Sequence, residues 1–398
     1  MEIDSSVLFI EINNSEYNFA VCEKDKKNNF KVIFKNSIPL QGIKNYKITD
    51  LEIAIVAIKK NIYLIEQKLN TIFKETVLIL DNLNRSFISL TGYKKLNGSQ
   101  ILKENITYIL NSLKSSINKF EKKKTILHIF NSKYTLDKKK IENLPIGLFG
   151  DFYAQELSFC LINNNDFKNL NNIFNKCNLK IKKVLLKSFV EGVYLSNKNL
   201  NLNTFFQVSI NHKQSKLFYF ENDALKFEQN FNFGSDLVIS DISKVIGLSK
   251  ENVKKIIATC NFSSQILDNE LVEEEFFKSS NFRKIKKKLI LDVAAARIEE
   301  LSELMISKNS NVINYTMENK VVFLNIYDQL NLNCFKDGYE LYFSKNNFHK
   351  VEFITNISNN DLMINTNNLT NYGWKKEVIP VIQSKKSLIA RVFNAIFS

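Results

Sequence analysis

Residues 7–34, VLFIEINNSEYNFAVCEKDKKNNFKVIF, hold three apolar runs of strand length separated by two polar stretches. The apolar runs are rich in Val, Ile and Phe and the polar stretches in Asn, so the pattern predicts three β-strands joined by tight turns. A second segment, TFFQVSINHKQSKLFYFENDALKFEQN at 204–230, repeats this arrangement. Because helical patterns and a further strand follow both segments, the sequence predicts a duplicated α/β fold.

Helical periodicity follows the first triplet over 49–72, before a buried strand at 76–81. The pattern is interrupted over 84–162, where a helix and several strands predict an inserted α+β domain. The predicted order after the second triplet is helices at 234–247, 249–258 and 283–306, a strand at 321–326, two more strand-like runs and a polar stretch.

The net charge of +14 would by itself favour an anionic partner such as nucleic acid. Only four of the 55 basic residues are Arg, and the chain is crowded with Asn, Ile, Phe and Lys, which all have AT-rich codons. We therefore attribute the charge to codon bias and expect no nucleic-acid partner. The apolar runs are shorter than the ~20 residues of a membrane span, and the start lacks a signal-peptide pattern. Five widely spaced cysteines predict reduced thiols in a cytoplasm.

Three collinear segments carry a more specific signal. ILHIFNSKYTLDKKKIENLPIGLFGDF at 126–152 combines a His-containing strand with Tyr-x-Leu-Asp and Pro-x-Gly-x-x-Gly. FNFGSDLVISDISKVIGLSKENVKKI at 231–256 places Gly234 and Asp241 before a helical pattern, and DVAAARIEELSEL at 292–304 contains Arg-x-x-Glu. Together these segments resemble the signature of the FtsA family of actin-like bacterial cell-division proteins.

The resemblance implies an actin-like fold, a duplicated ribonuclease H-like α/β fold, with an inserted small α+β subdomain and a C-terminal amphipathic helix. It also implies self-association into an oligomer or polymer, and we expect the inserted subdomain to serve that assembly. The subdomains expected on this chain are 1–83 with 163–200 (1A), 84–162 (1C), 201–233 with 308–360 (2A), 234–307 (2B), 361–383 (closing segment and linker) and 384–398 (membrane-binding helix).

Actin-type ATPases bind nucleotide between two glycine-containing phosphate loops and a glycine pair near adenosine, with aspartates that position Mg²⁺. In this chain the first loop, EINNSEYNF at 11–19, has no glycine, and in the second Ser209 and Lys216 replace the two aspartates. Asp241 is interpreted as a helix cap. The residues of the degraded nucleotide cleft are Asn13, Asn14, Ser209, Asn211, His212, Lys213, Lys216, Gly234, Asp241 and Asn325.

We accordingly expect no enzyme activity, no metal site and no cofactor. The alternative is that His212, Lys213 and Lys216 bind a phosphate or ATP without metal.

A partner site is predicted on the segment 283–301, read as one continuous helix. Arg283 and Arg297 would lie four turns apart on one face, with Glu300 at i+3 from Arg297. In the FtsA family the corresponding residues contact the acidic and apolar C-terminal peptide of FtsZ, so the resemblance implies an FtsZ site here. The alternative is a surface Arg–Glu pair that supports the helix by about 0.3–0.5 kcal/mol.

The last residues, SKKSLIARVFNAIFS at 384–398, have the pattern of an amphipathic helix of about 20 Å, too short to span a bilayer. The resemblance implies that this helix binds the anionic inner face of the cell membrane; the alternative is a tail docked on its own body. The residues predicted to bind the membrane are Lys385, Lys386, Leu388, Ile389, Arg391, Val392, Phe393, Ile396 and Phe397.

The expected function is that of a peripheral adaptor on the cytoplasmic side of the inner membrane, at the division septum, where it anchors FtsZ filaments. Within the same fold the alternative is a pilus-assembly scaffold resembling PilM, which lacks an equivalent membrane-binding tail. A different class, a working actin-like ATPase or sugar-kinase relative, is disfavoured by the degraded loops.

Overall fold

The computed structural model describes residues 7–24, 29–44, 47–81, 83–199, 202–259, 269–277, 282–312, 315, 320–344 and 349–378. Their contacts divide the chain into two units. The first unit comprises the described residues up to Asn203, together with Phe220–Phe227 and the described residues from Ile357 onward. The second unit comprises Thr204–Tyr219 and Glu228–Asn356. The finer subdomain boundaries given above stay predictions.

The secondary structure is given in chain order. The elements up to Asn203 are β1 (Val7–Ile12), β2 (Glu16–Lys24), β3 (Phe30–Pro39), β4 (Ile43–Lys44), β5 (Lys47–Ile48), α1 (Leu51–Leu69), β6 (Glu75–Leu80), β7 (Arg85–Lys95), α2 (Lys103–Phe120), β8 (Lys124–Leu136), β9 (Lys139–Ile141), β10 (Phe152–Asn163), α3 (Asn164–Lys176), β11 (Lys180–Leu186) and α4 (Lys187–Lys198). The later elements are β12 (Phe205–Ile210), β13 (Ser215–Glu221), β14 (Ala224–Phe231), α5 (Asp236–Ile246), α6 (Lys250–Thr259), a 3₁₀ turn (Glu274–Phe277), α7 (Lys287–Ser302), a π turn (Glu303–Ser307), β15 (Val321–Ile326), α8 (Gln329–Ser344), β16 (Lys350–Phe353) and α9 (Asn359–Tyr372).

The first unit is built on a five-stranded sheet in the order β11-β6-β1-β2-β3. β1 pairs antiparallel with β2 and parallel with β6, so that Ile10 lies opposite Phe19 on one side and Leu78 on the other. Consecutive residues of β1 and β6 are buried, which places apolar side chains on both faces of these central strands.

The inserted segment forms a second sheet of the first unit, in the order β7-β10-β8-β9, and α2 packs against it. Leu110 and Ile117 of α2 meet Ile129, Leu157 and Phe159 of the sheet in one apolar cluster. This small sheet-and-helix body matches the inserted α+β subdomain that the sequence predicts.

The sheet of the second unit has the order β14-β13-β12-β15-β16. β12 pairs parallel with β15, and β15 pairs parallel with β16. In both sheets the strand order is therefore third, second, first, fourth, fifth, counted along each half of the chain. This repetition confirms the predicted duplicated α/β fold.

Two strand-like runs are predicted after β15, but the described residues there contain one strand, β16, and residues 329–344 form α8. The polar stretch that follows, for which the sequence predicts no element, contains α9. The sequence of α9, NNDLMINTNNLTNY, has poor helix formers, but Ser358 caps it through the amide of Asp361 at 3.1 Å. The buried Asn365 also donates to the carbonyl of Val190 at 2.7 Å, so packing outweighs propensity.

The predicted helix over 283–306 is wrong at its start. The helix begins at Lys287, and a π turn follows Ser302. Val272 donates its amide to the carbonyl of Ile285 at 2.9 Å, which holds the preceding residues in an extended pairing. The cations clustered at 283–288 also oppose a helix N-terminus, whose dipole end is positive. Among the described helices, none has the length and apolar character needed to cross a membrane.

Candidate functional site

The first predicted phosphate loop is a four-residue turn in the first unit, between β1 and β2. The amide of Asn13 donates to the carbonyl of Glu16 at 3.1 Å. The side-chain Oδ1 of Asn13 accepts from the amides of Ser15 and Glu16, each at 2.8 Å. Asn14 is exposed at the tip of the turn. Two amides that a phosphate loop would direct at its ligand are therefore already bonded to a side chain of the loop.

The second predicted loop is the equivalent turn in the second unit, between β12 and β13. Here the amide of Asn211 donates to the carbonyl of Gln214 at 2.9 Å. All residues of both turns have negative φ angles, so neither turn needs glycine for its own conformation. This explains why Asn, His and Lys occupy these turns without straining the backbone.

Gly234 lies where β14 leads into α5, pressed against the second turn. A Cβ added to Gly234 would lie 2.0 Å from the carbonyl oxygen of Asn211, so only glycine fits. The next two amides, of Ser235 and Asp236, donate to the carbonyls of Asn211 and His212, each at 2.9 Å. The amides at the start of α5 therefore have acceptors within the chain.

Two carboxylates surround His212 in this turn. Its Nδ1 lies 3.5 Å from Oδ1 of Asp236 and 3.5 Å from Oδ2 of Asp328. Asp328 also accepts from the side chains of Asn331 at 2.6 Å and Ser235 at 3.3 Å. Asp328 follows β15, and its charge makes this corner of the second unit acidic.

The remaining residues assigned to the degraded cleft differ in burial and in their contacts. Ser209 and Lys216 are half-buried and Lys213 is exposed. Asn325 is buried at the end of β15, where it donates to the side chain of Asn356 at 2.5 Å. Within the second unit the structure thus brings Asn211, His212 and Gly234 together.

A buried charge cluster beside the first turn was missed by the sequence reasoning. Lys187, the first residue of α4, has its Nζ 2.8 Å from Glu11 and 3.8 Å from Asp81. Burial alone would lower the pKa of Lys187, but Asp81, Glu11 and Glu191 raise that pKa well above its ordinary value. The signal in the sequence was an acidic residue, Glu11, inside the apolar run of β1. The ammonium of Lys187 thus neutralises the carboxylates of Glu11 and Asp81, near the ends of β1 and β6.

The predicted partner site lies in the second unit, on α5 and α7. Arg297 of α7 donates through Nε to Asp241 in the middle of α5, and through Nη1 to Glu300 at 2.5 Å. The exposed fractions of these side chains are 25% for Arg297, 19% for Asp241 and 52% for Glu300. Asp241 is therefore a partner of Arg297, and its interpretation as a helix cap is wrong, since Ser235 precedes the helix.

Arg283 also contacts α5, although the sequence predicted that it would lie on α7 beside Arg297. It precedes α7 and so cannot share a face of that helix with Arg297. Instead its guanidinium donates to the carbonyl of Gly247 at 3.0 Å, at the C-terminal end of α5. A cation at this end is favoured by the helix dipole. Both arginines thus contact α5, at Asp241 and Gly247, about one and two-thirds turns apart.

Val245, one turn after Asp241 on α5, is 55% exposed, and Phe282, next to Arg283, is 44% exposed. The surface formed by these residues therefore combines guanidinium groups with accessible apolar side chains. The predicted membrane-binding residues of the tail lie outside the described residues.

Comparison with known proteins adds sequence relatives to this geometry. The chain is 22% identical over 253 residues to the cell division protein FtsA of Buchnera aphidicola subsp. Acyrthosiphon pisum (strain APS), covering 63% of this chain and 59% of that protein. It is 21% identical over 304 residues to the FtsA of Buchnera aphidicola subsp. Schizaphis graminum (strain Sg), covering 75% and 72%. The chain thus spans less than two thirds of the first relative's length. No protein-family model matches the chain.

A solved structure of the PilM-PilN type IV pilus biogenesis complex is similar to this one, with a TM-score of 0.54 and 10% identity. The likeness covers 92% of this chain and 98% of that one, and it shows the actin-like fold alone. The fold and the two sequence relatives agree with the collinear segments found in the sequence. The chain is therefore similar in sequence to two FtsA proteins and has an actin-like fold.

Proposed function

We propose that this protein is a non-enzymatic cell-division adaptor that anchors FtsZ filaments to the inner face of the cytoplasmic membrane and self-associates. The observation that carries this proposal is the sequence similarity to two FtsA proteins, over 253 and 304 residues. Those proteins are described as cell division proteins, and the family's FtsZ-contacting Arg-x-x-Glu is present at Arg297 and Glu300.

The surface on α5 and α7 suits an acidic and apolar peptide. Arg283 is exposed, and its guanidinium has more N–H groups than the bond to Gly247 uses. A peptide carboxylate can bind there in the forked geometry that guanidinium groups favour, while Val245 and Phe282 offer apolar contacts. Arg297 is already shared by two carboxylates, so we assign it mainly to fixing α7 against α5 and Arg283 to the direct contact.

The two turns support the absence of enzyme activity. In the first turn the amides of Asn13, Ser15 and Glu16 have acceptors within the turn, and in the second the amide of Asn211 does. Asp236 and Asp328 would also repel a phosphate near the second turn. Lys187 already neutralises Glu11, where a nucleotide-bound metal would need free carboxylate oxygens. These residues do not fit Mg²⁺–ATP, and we assign them no catalytic step.

Membrane attachment is assigned to residues 384–398. A helix of this length would lie in the interface, with six apolar side chains worth roughly 6 kcal/mol before the cost of folding the tail. One copy would therefore bind weakly, and an array of tails on a polymer would bind firmly through avidity. The proposed location is accordingly peripheral, on the cytoplasmic side of the inner membrane at the septum.

Recruitment of purified FtsZ to anionic liposomes tests the proposal. We expect FtsZ to sediment with the liposomes only when this protein is present. A Phe393→Asp variant should lose both its own sedimentation and that of FtsZ, because a carboxylate in the apolar face opposes insertion. Asn394→Asp, which adds the same charge on the polar face, is the matched control and should retain binding.

Two rivals predict other outcomes. A pilus-assembly scaffold would bind liposomes poorly and leave FtsZ in solution, and an ATPase would turn over Mg²⁺–ATP. Recruitment that fails with wild-type protein would reject the adaptor.

A further inference from the structure

A polar cleft of about 400 Å³ opens in the first unit, and its lining contains no residue of the phosphate-loop turns or of the surface on α5 and α7. Its lining is formed by three parts of the chain together with Asn203, which precedes β12. The three parts are the end of β8 with the β9 hairpin, the turn between β13 and β14, and the segment after α9. We call this feature the lysine cleft, after the four lysines in its lining, Lys133, Lys140, Lys375 and Lys376.

The charges of the lysine cleft do not balance. Against its four lysines stand two carboxylates, Glu142 and Asp223. Asp223 forms an ion pair with Lys375 at 2.6 Å. The ammonium of Lys376 donates to the backbone carbonyl of Glu142 at 3.2 Å and lies 5.0 Å from the ring centre of Tyr134. Lys376 therefore contacts a carbonyl and an aromatic face rather than an anion.

The surroundings of Lys376 show the consequence. Burial lowers the pKa of this ammonium, and the neighbouring Lys375 and Lys140 lower the pKa further, against the opposite effect of Asp223 and Glu142. The positive charges of Lys376, Lys375 and Lys140 therefore repel one another on a partly buried surface. A bound anion would relieve this repulsion.

The backbone that positions these lysines is firmly fixed. The amide of Asn131 donates to the carbonyl of Lys376 at 2.8 Å, and the indole of Trp374 donates to the carbonyl of Asp223 at 2.7 Å. The side chain of Asn222 donates to the carbonyl of Ser132 at 2.9 Å. The three parts of the lining are therefore joined to one another, so that binding needs little reordering.

We propose that the lysine cleft binds a phosphate-bearing anion. The volume lies within the ~300–1,000 Å³ range of small-molecule sites. Lysine ammonium groups are compact charges with three donors each, which suit the several oxygens of a phosphate, whereas a planar carboxylate is better matched by Arg. The inference is independent of FtsZ binding and of the tail.

The single tryptophan of the chain is a built-in reporter, because Trp374 adjoins Lys375 and is bonded across to Asp223. Full-length protein is titrated with sodium pyrophosphate in magnesium-free buffer at about 50 mM salt, and indole fluorescence is followed, with calorimetry in parallel. We expect a saturable change with a Kd on the order of 100 μM, which weakens as salt is added. Sodium chloride at equal ionic strength should give no saturable change.

Lys140→Gln should weaken binding about tenfold, because one charge-assisted hydrogen bond is lost. Lys139→Gln is the matched control: it removes the same charge from the adjacent exposed residue of β9, which does not line the cleft and points to the opposite face. It should change the Kd less than about twofold. Lys376→Gln should also weaken binding, provided that its thermal unfolding matches that of wild type. Lys140 is exposed, so its variant keeps the test valid if Lys376→Gln misfolds.

Vesicles distinguish the source of the phosphate. A pyrophosphate response that Lys140→Gln reduces assigns the site to soluble phosphates. A response confined to vesicles with phosphatidic acid, absent with phosphatidylcholine alone and reduced by Lys140→Gln, assigns it to a lipid phosphate. Absence of both responses, or equal losses in Lys139→Gln and Lys140→Gln, would overturn the proposal while leaving FtsZ recruitment unaffected.

Discussion

Glu377 is a buried carboxylate of the first unit, with 2% of its side chain exposed. It accepts from His128 Nδ1 at 2.7 Å and pairs with the fully buried Lys183 at 3.2 Å. Burial alone would raise the pKa of Glu377, but Lys183 and the hydrogen bond from His128 lower it to about 2. The residue thus joins the inserted segment, the main sheet and the segment after α9.

Replacing Glu377 by Gln should destabilise the protein by about 3 kcal/mol at pH 7, because Lys183 would stay buried without an anion. Urea unfolding measures this loss. The matched control is Glu75→Gln, which removes the exposed partner of the neighbouring Lys182 and should cost less than about 1 kcal/mol. Equal losses in the two variants would contradict the assignment.

The ion pair between Glu377 and Lys183 also makes the free energy of unfolding depend on pH. Since the folded pKa of Glu377 is depressed from 4.5 to about 2, its contribution is complete above about pH 5 and is lost as the pH falls toward 2. The difference between wild type and Glu377→Gln should therefore shrink over that window.

A substitution at Arg283 tests the proposed contact with FtsZ. Arg283→Glu should abolish recruitment of FtsZ while membrane binding is kept, because a carboxylate would repel an acidic peptide and the bond to Gly247 would be lost. Lys284→Glu makes the same charge change at the adjacent exposed residue and should reduce recruitment only slightly. Co-sedimentation measures both, and equal effects would show that bulk charge, not the guanidinium, attracts FtsZ.

At the scale of elements, the second turn and the start of α5 form one closed unit through Gly234. Gly234→Ala would force its Cβ against a backbone carbonyl and should cost about 3 kcal/mol or more. Gly338→Ala, inside α8 with its nearest neighbour at 3.6 Å, should instead stabilise by up to about 1 kcal/mol. Thermal unfolding of both variants measures the contrast, and a harmless Gly234→Ala would mean that the turn is open.

The segment after α9 pairs with β8 of the inserted sheet over a few residues. Glu377 bridges Phe130 of β8, and the amide of Val378 donates to the carbonyl of Ile129 at 2.8 Å. Deleting residues 84–162 would therefore also remove His128 and the β8 backbone that Glu377 and Val378 contact. The expected role of this subdomain in assembly is better tested with substitutions at exposed residues such as Tyr93 and Phe120.

For the whole molecule, we predict that Mg²⁺–ATP does not bind with low-micromolar affinity and that self-association is independent of nucleotide. The physical reason is that the amides of Ser15 and Glu16 in the first turn are already bonded to Asn13 and that carboxylates lie beside His212 in the second. Calorimetry at neutral pH and sedimentation with and without ATP measure this. Magnesium-dependent ATP binding that survives Lys140→Gln would contradict it, whereas magnesium-independent binding lost in that variant would belong to the lysine cleft.

The apolar periodicity of residues 7–34 and 204–230 was enough to predict both strand triplets and the duplication, because strand formation there follows from alternation and short polar turns. Likewise Arg297 and Glu300, three residues apart on α7, form the ion pair that helix geometry predicts. These features depend on neighbours in sequence.

Features that depend on distant neighbours were decided by the tertiary structure. Asp241 pairs with Arg297 across 56 positions of the chain, and Glu377 meets Lys183 across 194. Helix α9 forms in an Asn-rich stretch because Asn365 has a buried partner in Val190. Arg283 lies outside α7 because residues 270–272 pair with the extended segment that precedes the helix. Burial and charge pairing are set by which residues the fold brings together, and no local pattern encodes them.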